Sequence, residues 1–352
     1  MKTPTFGLFS PVYPWSLVGE LALSCEEAGF DIIGMPDHTV YLPSDSTRPK
    51  LEALEAWTAL SALAVNTKRI RLAVTVSDVF RHHPVALAHM ATTLDLVSGG
   101  RAILGIGPGE DMNTVPYGMS RERSVSKMYD AVKLIRRLWA HDLELADFDG
   151  EFYKLSKAFM VKSSRRPPIW IAANSPRTIR IAAELADGWL PGWIPPELYR
   201  EKLSFLQQSA AGFGRNSSGI EKALLLFFSI AKNRDEALKN IEMPAKTLTL
   251  FYPTVLKRLG YDAPQEFNID KVIPSDSEMM KRQRVAAMNV PFEGIAEKMV
   301  LWGTVEDAIE RIVSYVESGV ETFLLRPIAP SQKMLDMVRF FAQEIISYFR
   351  NQ

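Results

Sequence analysis

Short apolar segments alternate with amphipathic segments along most of the chain, and this alternation restricts the fold more than any other feature. The apolar segments lack a polar face, as do strands of a parallel sheet that helices cover. The predicted strands are Thr5–Phe9, Asp31–Met35, Ile70–Val76, Ala102–Ile106, Ile169–Ala172, Gly188–Leu190, Ala223–Ala231 and Thr322–Arg326. The predicted helices are Leu17–Ala28, Ala53–Ala64, Pro84–Val97, Ser126–Trp139, Arg177–Ala186, Glu197–Ala211, Glu306–Ser318 and Gln332–Arg350.

Eight such strand–helix units with short connections predict an α/β TIM (β/α)8 barrel. The 352 residues fit a single barrel domain, 1–352, that carries insertions. Two segments interrupt the alternation. Asp147–Lys154 predicts a small hairpin with a turn at Asp149-Gly150. Leu238–Met299 predicts an irregular helical insertion, for which a lid, an oligomer surface and a surface decoration all remain open.

Composition limits the partners and the compartment of this protein. The 41 basic and 41 acidic residues cancel, which argues against nucleic acid as the main partner. The longest strongly apolar run is far too short to span a membrane, and the first residues lack the apolar core of a secretory signal. The single cysteine, Cys25, lies on an amphipathic helix pattern and is expected to be a small core residue. We therefore expect a cytoplasmic protein.

The stretch Leu96–Glu110, LVSGGRAILGIGPGE, combines a helix end, a strand and a glycine-rich loop. Gly105, Gly107 and Gly109 alternate at its end, and Pro108 stiffens the loop. A loop of this kind lets a ligand approach bare backbone, at the end of the strand where parallel α/β folds place their sites. The spacing matches neither the dinucleotide fingerprint nor the P-loop, because the third glycine and the Gly-Lys-Ser/Thr sequence are missing.

Candidate catalytic groups follow the second and third strands. Asp37 and His38 place a carboxylate beside an imidazole, the side chain best suited to exchange a proton near neutral pH. After the third strand come Thr75, Val76 and Asp78. The residues Arg81–His83 that follow are expected to cap a helix or to meet an anion there.

Other chemistries find little support in the sequence. No ligand spacing typical of a metal site is present, so no metal is expected. The serine-hydrolase elbow is also missing. Ala172-Ala173-Asn174, after the fifth strand, would allow a flat ring to lie against the barrel mouth. The aromatic residues Phe9, Trp15, Trp193 and Phe292 are candidates for an apolar substrate pocket, although packing is an equally good explanation for them.

Five segments together resemble the bacterial luciferase-like superfamily, in its branch that uses the deazaflavin coenzyme F420. They are Asp31–His38, Arg81–Pro84, Leu94–Glu110, Ala186–Trp189 and Gly303–Ile309. The resemblance covers nearly the whole chain and extends to methylenetetrahydromethanopterin reductase and F420-dependent glucose-6-phosphate dehydrogenase. It implies a TIM barrel with insertions, a homodimer, and an F420-dependent oxidoreductase that acts on a small alcohol, ketone or pterin imine.

The resemblance also implies roles for individual residues. Asp37 stands where these enzymes place an aspartate that contacts the cofactor, and His38 where they place the catalytic histidine, which Asp37 would orient. Glu110 stands at the position of a second proton-transfer acid. Thr75-Val76 falls where the family has a non-prolyl cis peptide against the deazaflavin ring.

The remaining cofactor-binding residues that we expect surround that ring. They are Asp78, Gly107, Pro108, Gly109, Ala172, Ala173 and Asn174. Three places depart from the relatives, one of them Pro11–Tyr13, where the dehydrogenase has a glutamate. Phe9 replaces a glutamate of the reductase, and Trp193–Pro196 contains no lysine for a sugar phosphate. Two alternatives remain open, an FMN-dependent luciferase-like monooxygenase and a non-catalytic barrel of the same family.

Overall fold

A computed structural model describes residues 3–10, 13–40, 52–140 and 145–351 of the chain. The strands are β1 (Thr5–Phe9), β2 (Ile32–Met35), β3 (Arg71–Ser77), β4 (Ala102–Ile106), β5 (Ala146–Asp149), β6 (Lys154–Ala158), β7 (Ile169–Ala172), β8 (Gly188–Leu190), β9 (Glu221–Ile230), β10 (Val300–Gly303) and β11 (Thr322–Pro327). The α-helices are α1 (Trp15–Ala28), α2 (Ala56–Asn66), α3 (Pro84–Ser98), α4 (Ser124–Leu138), α5 (Pro176–Leu185), α6 (Pro196–Gly212), α7 (Arg234–Leu250), α8 (Pro253–Arg258), α9 (Ser277–Asn289), α10 (Val305–Glu317), α11 (Ser331–Phe341) and α12 (Ser347–Arg350).

Eight parallel strands close into a barrel, which confirms the predicted TIM fold. Around the barrel the order is β1, β2, β3, β4, β7, β8, β9 and β11, and β11 pairs again with β1. Closure is visible in the register, where Trp189 of β8 lies opposite Lys222 of β9 and Thr322 of β11 lies opposite Thr5 of β1. Because all strands are parallel, their carboxyl ends form one rim, the barrel mouth.

Local sequence signals set the ends of the elements, and the eight barrel strands, α1 to α6 and α10 end within three residues of the predicted bounds. The predicted closing helix Gln332–Arg350 consists of α11 and α12, joined by the π-helical stretch Ala342–Ile346. Gly99 ends α3 in the left-handed conformation with φ 71°, which a glycine adopts without a Cβ clash. Ser175 begins α5 with a capping box, in which its hydroxyl and that of Thr178 each accept from the other residue's backbone N–H. Cys25 is fully buried in the core, as predicted, and burial raises the pKa of its thiol.

The two interruptions of the barrel pattern are both structured. β5 and β6 form the predicted antiparallel hairpin, closed by a hydrogen bond from Gly150 N–H to the Tyr153 carbonyl of 3.0 Å. The predicted insertion contains most of α7, then α8 and α9, and it has an apolar core of its own around Ile241, Leu248 and Phe267.

One strand, β10, was not predicted. It consists of only four residues, VLWG, and directly follows the irregular insertion, so it has no periodicity of its own. β9 is long enough to extend past the end of β8, and its outer residues pair with β10, with Phe227 opposite Val300. Within the described ranges, no helix is long and apolar enough to cross a membrane.

Candidate active site

A cavity of about 1280 Å³ lies at the barrel mouth. Pockets for single small ligands are commonly about 300–1,000 Å³, so this cavity can hold more than one molecule of that size. Its wall has two chemically different halves. The polar half lies at or just after the carboxyl ends of β2, β3, β4 and β7 and consists of Asp37, His38, Thr75–Asp78, Gly107–Glu110 and Ala172–Asn174. The aromatic half lies in or just after β1, β8, β9 and β11 and consists of Phe9, Trp193, Phe227 and Arg326, with Tyr252 from the insertion.

The structure brings all predicted site residues together in the polar half. Those lining the cavity are Asp37, His38, Thr75, Val76, Asp78, Gly107, Pro108, Gly109, Glu110, Ala172, Ala173 and Asn174. They come from four separate segments of the chain, and each segment lies at or directly after the carboxyl end of a barrel strand. Their functional roles remain predictions, while their proximity is a property of the fold.

The side chains of His38 and Glu110 both line the cavity and lie close together. His38 Nε2 lies 3.5 Å from Glu110 Oε2, and the two side chains are 17% and 26% exposed. Burial and the nearby Arg81 charge lower the pKa of His38 to about 4. Burial and the Asp270 charge raise the pKa of Glu110 to about 8. Near pH 7 this arrangement is a neutral base beside a neutral acid, a pair suited to moving a proton.

Asp37 has three close partners from the end of β3 and the segment after it. Its carboxylate accepts a 2.6 Å hydrogen bond from Ser77 Oγ and lies 3.2 Å from Arg81 Nη1 and 3.1 Å from His82 Nε2. Burial acts to raise the pKa of Asp37, but these partners outweigh it and hold that pKa at about 2. These contacts tie the loop that carries Asp37 to the end of β3 and the segment after it, and the orienting role expected of Asp37 stays a prediction.

The segment Arg81–His83 begins a helix, as expected. His83 begins α3, and its Nδ1 accepts from the Val85 N–H at 3.3 Å. Arg81 pairs with carboxylates of the protein itself, since its Nε lies 2.7 Å from Asp78 Oδ2 in addition to its contact with Asp37, and anion binding at this helix start stays a prediction. In the part of the chain that the structure describes, no group of three or more His, Cys, Asp or Glu side chains is arranged to hold a metal ion.

The polar half also provides a flat surface on which a planar ring could rest. The Thr75–Val76 peptide bond is cis, as the resemblance implied. A Cβ on Gly107 would lie 2.6 Å from Val76 Cγ2, so only glycine permits this packing. Among the described residues, buried Thr75 Oγ1 and Asn174 Oδ1 have no hydrogen-bond partner, and both residues line the cavity. These features fit a planar group with polar edges.

Most of the aromatic half was not predicted as part of the site. Phe9 and Trp193 were noted only as candidate pocket residues, and Phe227, Tyr252 and Arg326 were not noted at all. The guanidinium carbon of Arg326 lies 5.8 Å from the ring centres of both Phe9 and Phe227. Of the other two candidate aromatics, Trp15 and Phe292, neither lines the described cavity wall.

The insertion covers part of the mouth, which favours a lid over a surface decoration. Lys239, Met243, Leu248 and Met280 line the cavity. Arg121 joins the insertion to the loop after β4, because its Nη1 lies 2.6 Å from Asp111 Oδ1 and donates to the Asp270 carbonyl at 2.7 Å.

Comparison with known proteins agrees with the fold. The sequence profile described as luciferase-like monooxygenase matches residues 7–322. The phthiodiolone/phenolphthiodiolone dimycocerosates ketoreductase of Mycobacterium tuberculosis is 31% identical over 287 residues, covering 79% of this chain and 75% of that protein. The F420-dependent glucose-6-phosphate dehydrogenase of Amycolatopsis mediterranei is 25% identical over 340 residues, covering 94% and 93%.

Solved structures share the fold over nearly the entire length. An F420-dependent secondary alcohol dehydrogenase, solved with an F420-acetone adduct, superimposes with a TM-score of 0.79 at 23% identity and covers 98% of both chains. The coenzyme F420 dependent tetrahydromethanopterin reductase of Methanopyrus kandleri gives a TM-score of 0.80 at 21% identity, covering 98% of this chain and 99% of that one. The predicted resemblance is confirmed: the chain belongs to the luciferase-like monooxygenase family and is an oxidoreductase enzyme.

Proposed function

We propose that the protein is an F420-dependent oxidoreductase that exchanges a hydride between the deazaflavin and a small alcohol, ketone or imine. The observation that carries the proposal is the His38–Glu110 pair, which faces the same cavity as the flat surface formed by Gly107 and Val76. A hydride transfer to a carbonyl also needs one proton, and this pair can supply it.

The flat surface would hold the deazaflavin, with Asn174, Ala172 and the Gly107–Glu110 loop around its edge. When bound, F420 supplies a carbon that donates or accepts hydride. The polar half would then bind the cofactor, and the aromatic half would bind the substrate.

The protein's own groups would handle the proton. During reduction of a ketone, the substrate oxygen takes up a proton. His38 donates this proton to the substrate and receives another from protonated Glu110. During oxidation of an alcohol, neutral His38 accepts the hydroxyl proton. Asp37 keeps the histidine loop in place through Arg81, Ser77 and His82.

The relatives support this assignment of cofactor and reaction class. Two are named as F420-dependent enzymes that act on an alcohol and on a sugar phosphate, and another is named as a ketoreductase. The absence of a lysine at Trp193–Pro196 argues against a sugar phosphate here. We also propose, from the resemblance, that the protein is a cytoplasmic homodimer with one barrel domain per subunit.

An activity comparison tests the proposal. The purified protein is assayed with reduced F420 and a panel of ketones and imines, with oxidised F420 and secondary alcohols, and with reduced FMN and oxygen. We expect turnover only with F420. The His38→Ala variant should lose at least about a hundredfold in turnover, the scale of general acid–base catalysis, and keep its F420 affinity. Turnover with FMN and oxygen alone would instead identify a monooxygenase.

A further inference from the structure

We propose that Trp193 determines substrate specificity by donating its indole N–H to a second oxygen of the substrate, distant from the reacting carbonyl or hydroxyl group. Its ring would pack against the apolar body between the two oxygens. The inference rests on the proposed function, because it describes the substrate of that reaction.

Trp193 is held in an unfavourable backbone conformation. Its φ is 52°, in the left-handed region that large side chains rarely adopt. The adjoining chain enforces this conformation, since the Trp193 backbone N–H donates to the Leu225 carbonyl of β9 at 2.9 Å and Gly192 pairs with Leu225. Strain at a residue that lines a cavity is typical of a binding site.

Neighbouring rings fix the orientation of the indole. Phe227 meets it edge to face with ring centres 5.5 Å apart, and Tyr252 of the insertion lies 5.5 Å away at 38°. Among the described residues, the buried Nε1 of Trp193 has no hydrogen-bond acceptor. A buried N–H without an acceptor destabilises a protein, and a ligand acceptor removes that cost.

The rest of the aromatic half suits an acceptor on the ligand. The Arg326 guanidinium, 6% exposed, also lines this half, and no carboxylate belongs to it among the described residues. The half therefore presents hydrogen-bond donors and ring surfaces, which match an oxygen acceptor on an apolar body better than a donor or a cation.

The barrel order separates this acceptor from the reacting group. His38 follows β2 and Trp193 follows β8, and four steps around the eight-stranded barrel lie between these strands in either direction. The two residues are therefore on opposite sides of the mouth. A substrate that reacts at His38 and reaches Trp193 must extend across the cavity.

Binding of two matched ketones tests the inference. The probes are 4-phenylbutan-2-one and 4-(4-methoxyphenyl)butan-2-one, which differ by one ether group at the end remote from the ketone. Calorimetric titrations use the full-length protein with and without F420. We expect the wild type to bind the methoxy ketone at least about tenfold more tightly, as a site built around a hydrogen bond discriminates against an analogue that lacks the partner.

Two variants isolate the indole N–H. Trp193→Phe keeps an aromatic ring but removes the donor, so it should bind both ketones within twofold of each other and retain F420 affinity. Trp302→Phe makes the same exchange at a tryptophan that lies outside the described cavity wall, against Phe292, and should keep the wild-type preference. An undiminished preference in Trp193→Phe, equal binding of the two probes by the wild type, or binding of neither would overturn the inference.

A spectroscopic measurement covers the case in which the variant does not fold. The sequence contains seven tryptophans, so the labelled wild-type protein gives up to seven indole N–H resonances. The methoxy ketone should shift the resonance assigned to Trp193 downfield, and an unmoved resonance contradicts the proposal. If the wild-type protein does not bind F420 but still binds the methoxy ketone more tightly, the proposed function is wrong and the role of Trp193 in binding is supported.

Discussion

His38 Nε2 lies 3.5 Å from Glu110 Oε2, although the two residues follow different barrel strands. Burial acts on them in opposite directions, because it favours the neutral form of each: it lowers the pKa of the imidazole to about 4 and raises that of the carboxyl group to about 8. Groups whose pKa values are moved apart in this way are typical of general acid–base sites.

This relationship predicts the pH dependence of ketone reduction. Glu110 is protonated below about pH 8, so kcat/KM should be constant near neutral pH and fall tenfold per pH unit above about 8. Glu110→Gln should lose the fall above pH 8 and have a lower rate at pH 7. The matched control Glu122→Gln changes an exposed acid outside the cavity wall and should keep the wild-type profile. If kcat/KM of Glu110→Gln still falls above pH 8, a group other than Glu110 causes the fall.

The Asp37 network predicts a loss of stability in Asp37→Asn. The substitution removes one of the two carboxylates paired with the partly buried Arg81, leaving that of Asp78, and it weakens the contacts to Ser77 and His82. We expect the free energy of unfolding in urea to fall by about 3 kcal/mol, the scale for breaking a buried ion pair.

The exposed pair Asp149–Lys154 provides the control for that measurement. Its side chains are 82% and 75% exposed, so Asp149→Asn should change the free energy of unfolding by less than about 0.5 kcal/mol. Equal effects of the two substitutions would mean that Asp37 is not an anchor of its loop.

Gly107→Ala tests the flat surface. The added methyl group meets Val76 at 2.6 Å and would push the valine toward the place assigned to the deazaflavin. F420 should bind about tenfold more weakly in a fluorescence titration, equivalent to about 1.4 kcal/mol. Gly212→Ala adds a methyl group where no atom lies within 4 Å and should leave F420 affinity unchanged. The surface assignment fails if both variants bind F420 like the wild type.

Arg121→Gln tests the connection between the insertion and the barrel. It removes the charge-assisted contact to Asp111 and weakens the bond to the Asp270 carbonyl, so the insertion should open more often. Thermolysin should cut within 253–299 several times faster in this variant. Arg123→Gln, which affects an exposed pair with Glu151, should be cut at the wild-type rate. Identical cleavage rates of Arg121→Gln and the wild type would show that Arg121 does not hold the insertion against the barrel.

Local sequence patterns were sufficient to predict the barrel and the polar half of its mouth. Each barrel strand is an apolar run with clear boundaries, and each predicted site segment lies at the carboxyl end of one of these runs or directly after it. Parallel strands place such segments on one rim, so their proximity follows from the topology alone.

The aromatic half could not be predicted in this way. Phe227 and Arg326 lie inside strands β9 and β11, where a side chain at the mouth looks like any other strand residue. The contacts of Asp37 were not predicted for a related reason, because its partners Ser77, Arg81 and His82 come from the end of β3 and the loop after it, and only the fold brings them within reach. β10 could not be predicted because its four residues are too few to show a periodicity and directly follow the irregular insertion.

Binding of F420 and FMN, each titrated into the purified protein and followed by cofactor fluorescence, tests the central claim most directly. We predict micromolar or tighter binding of F420 and at least a hundredfold weaker binding of FMN. Binding of FMN that equals or exceeds that of F420 would contradict the assignment of a deazaflavin site.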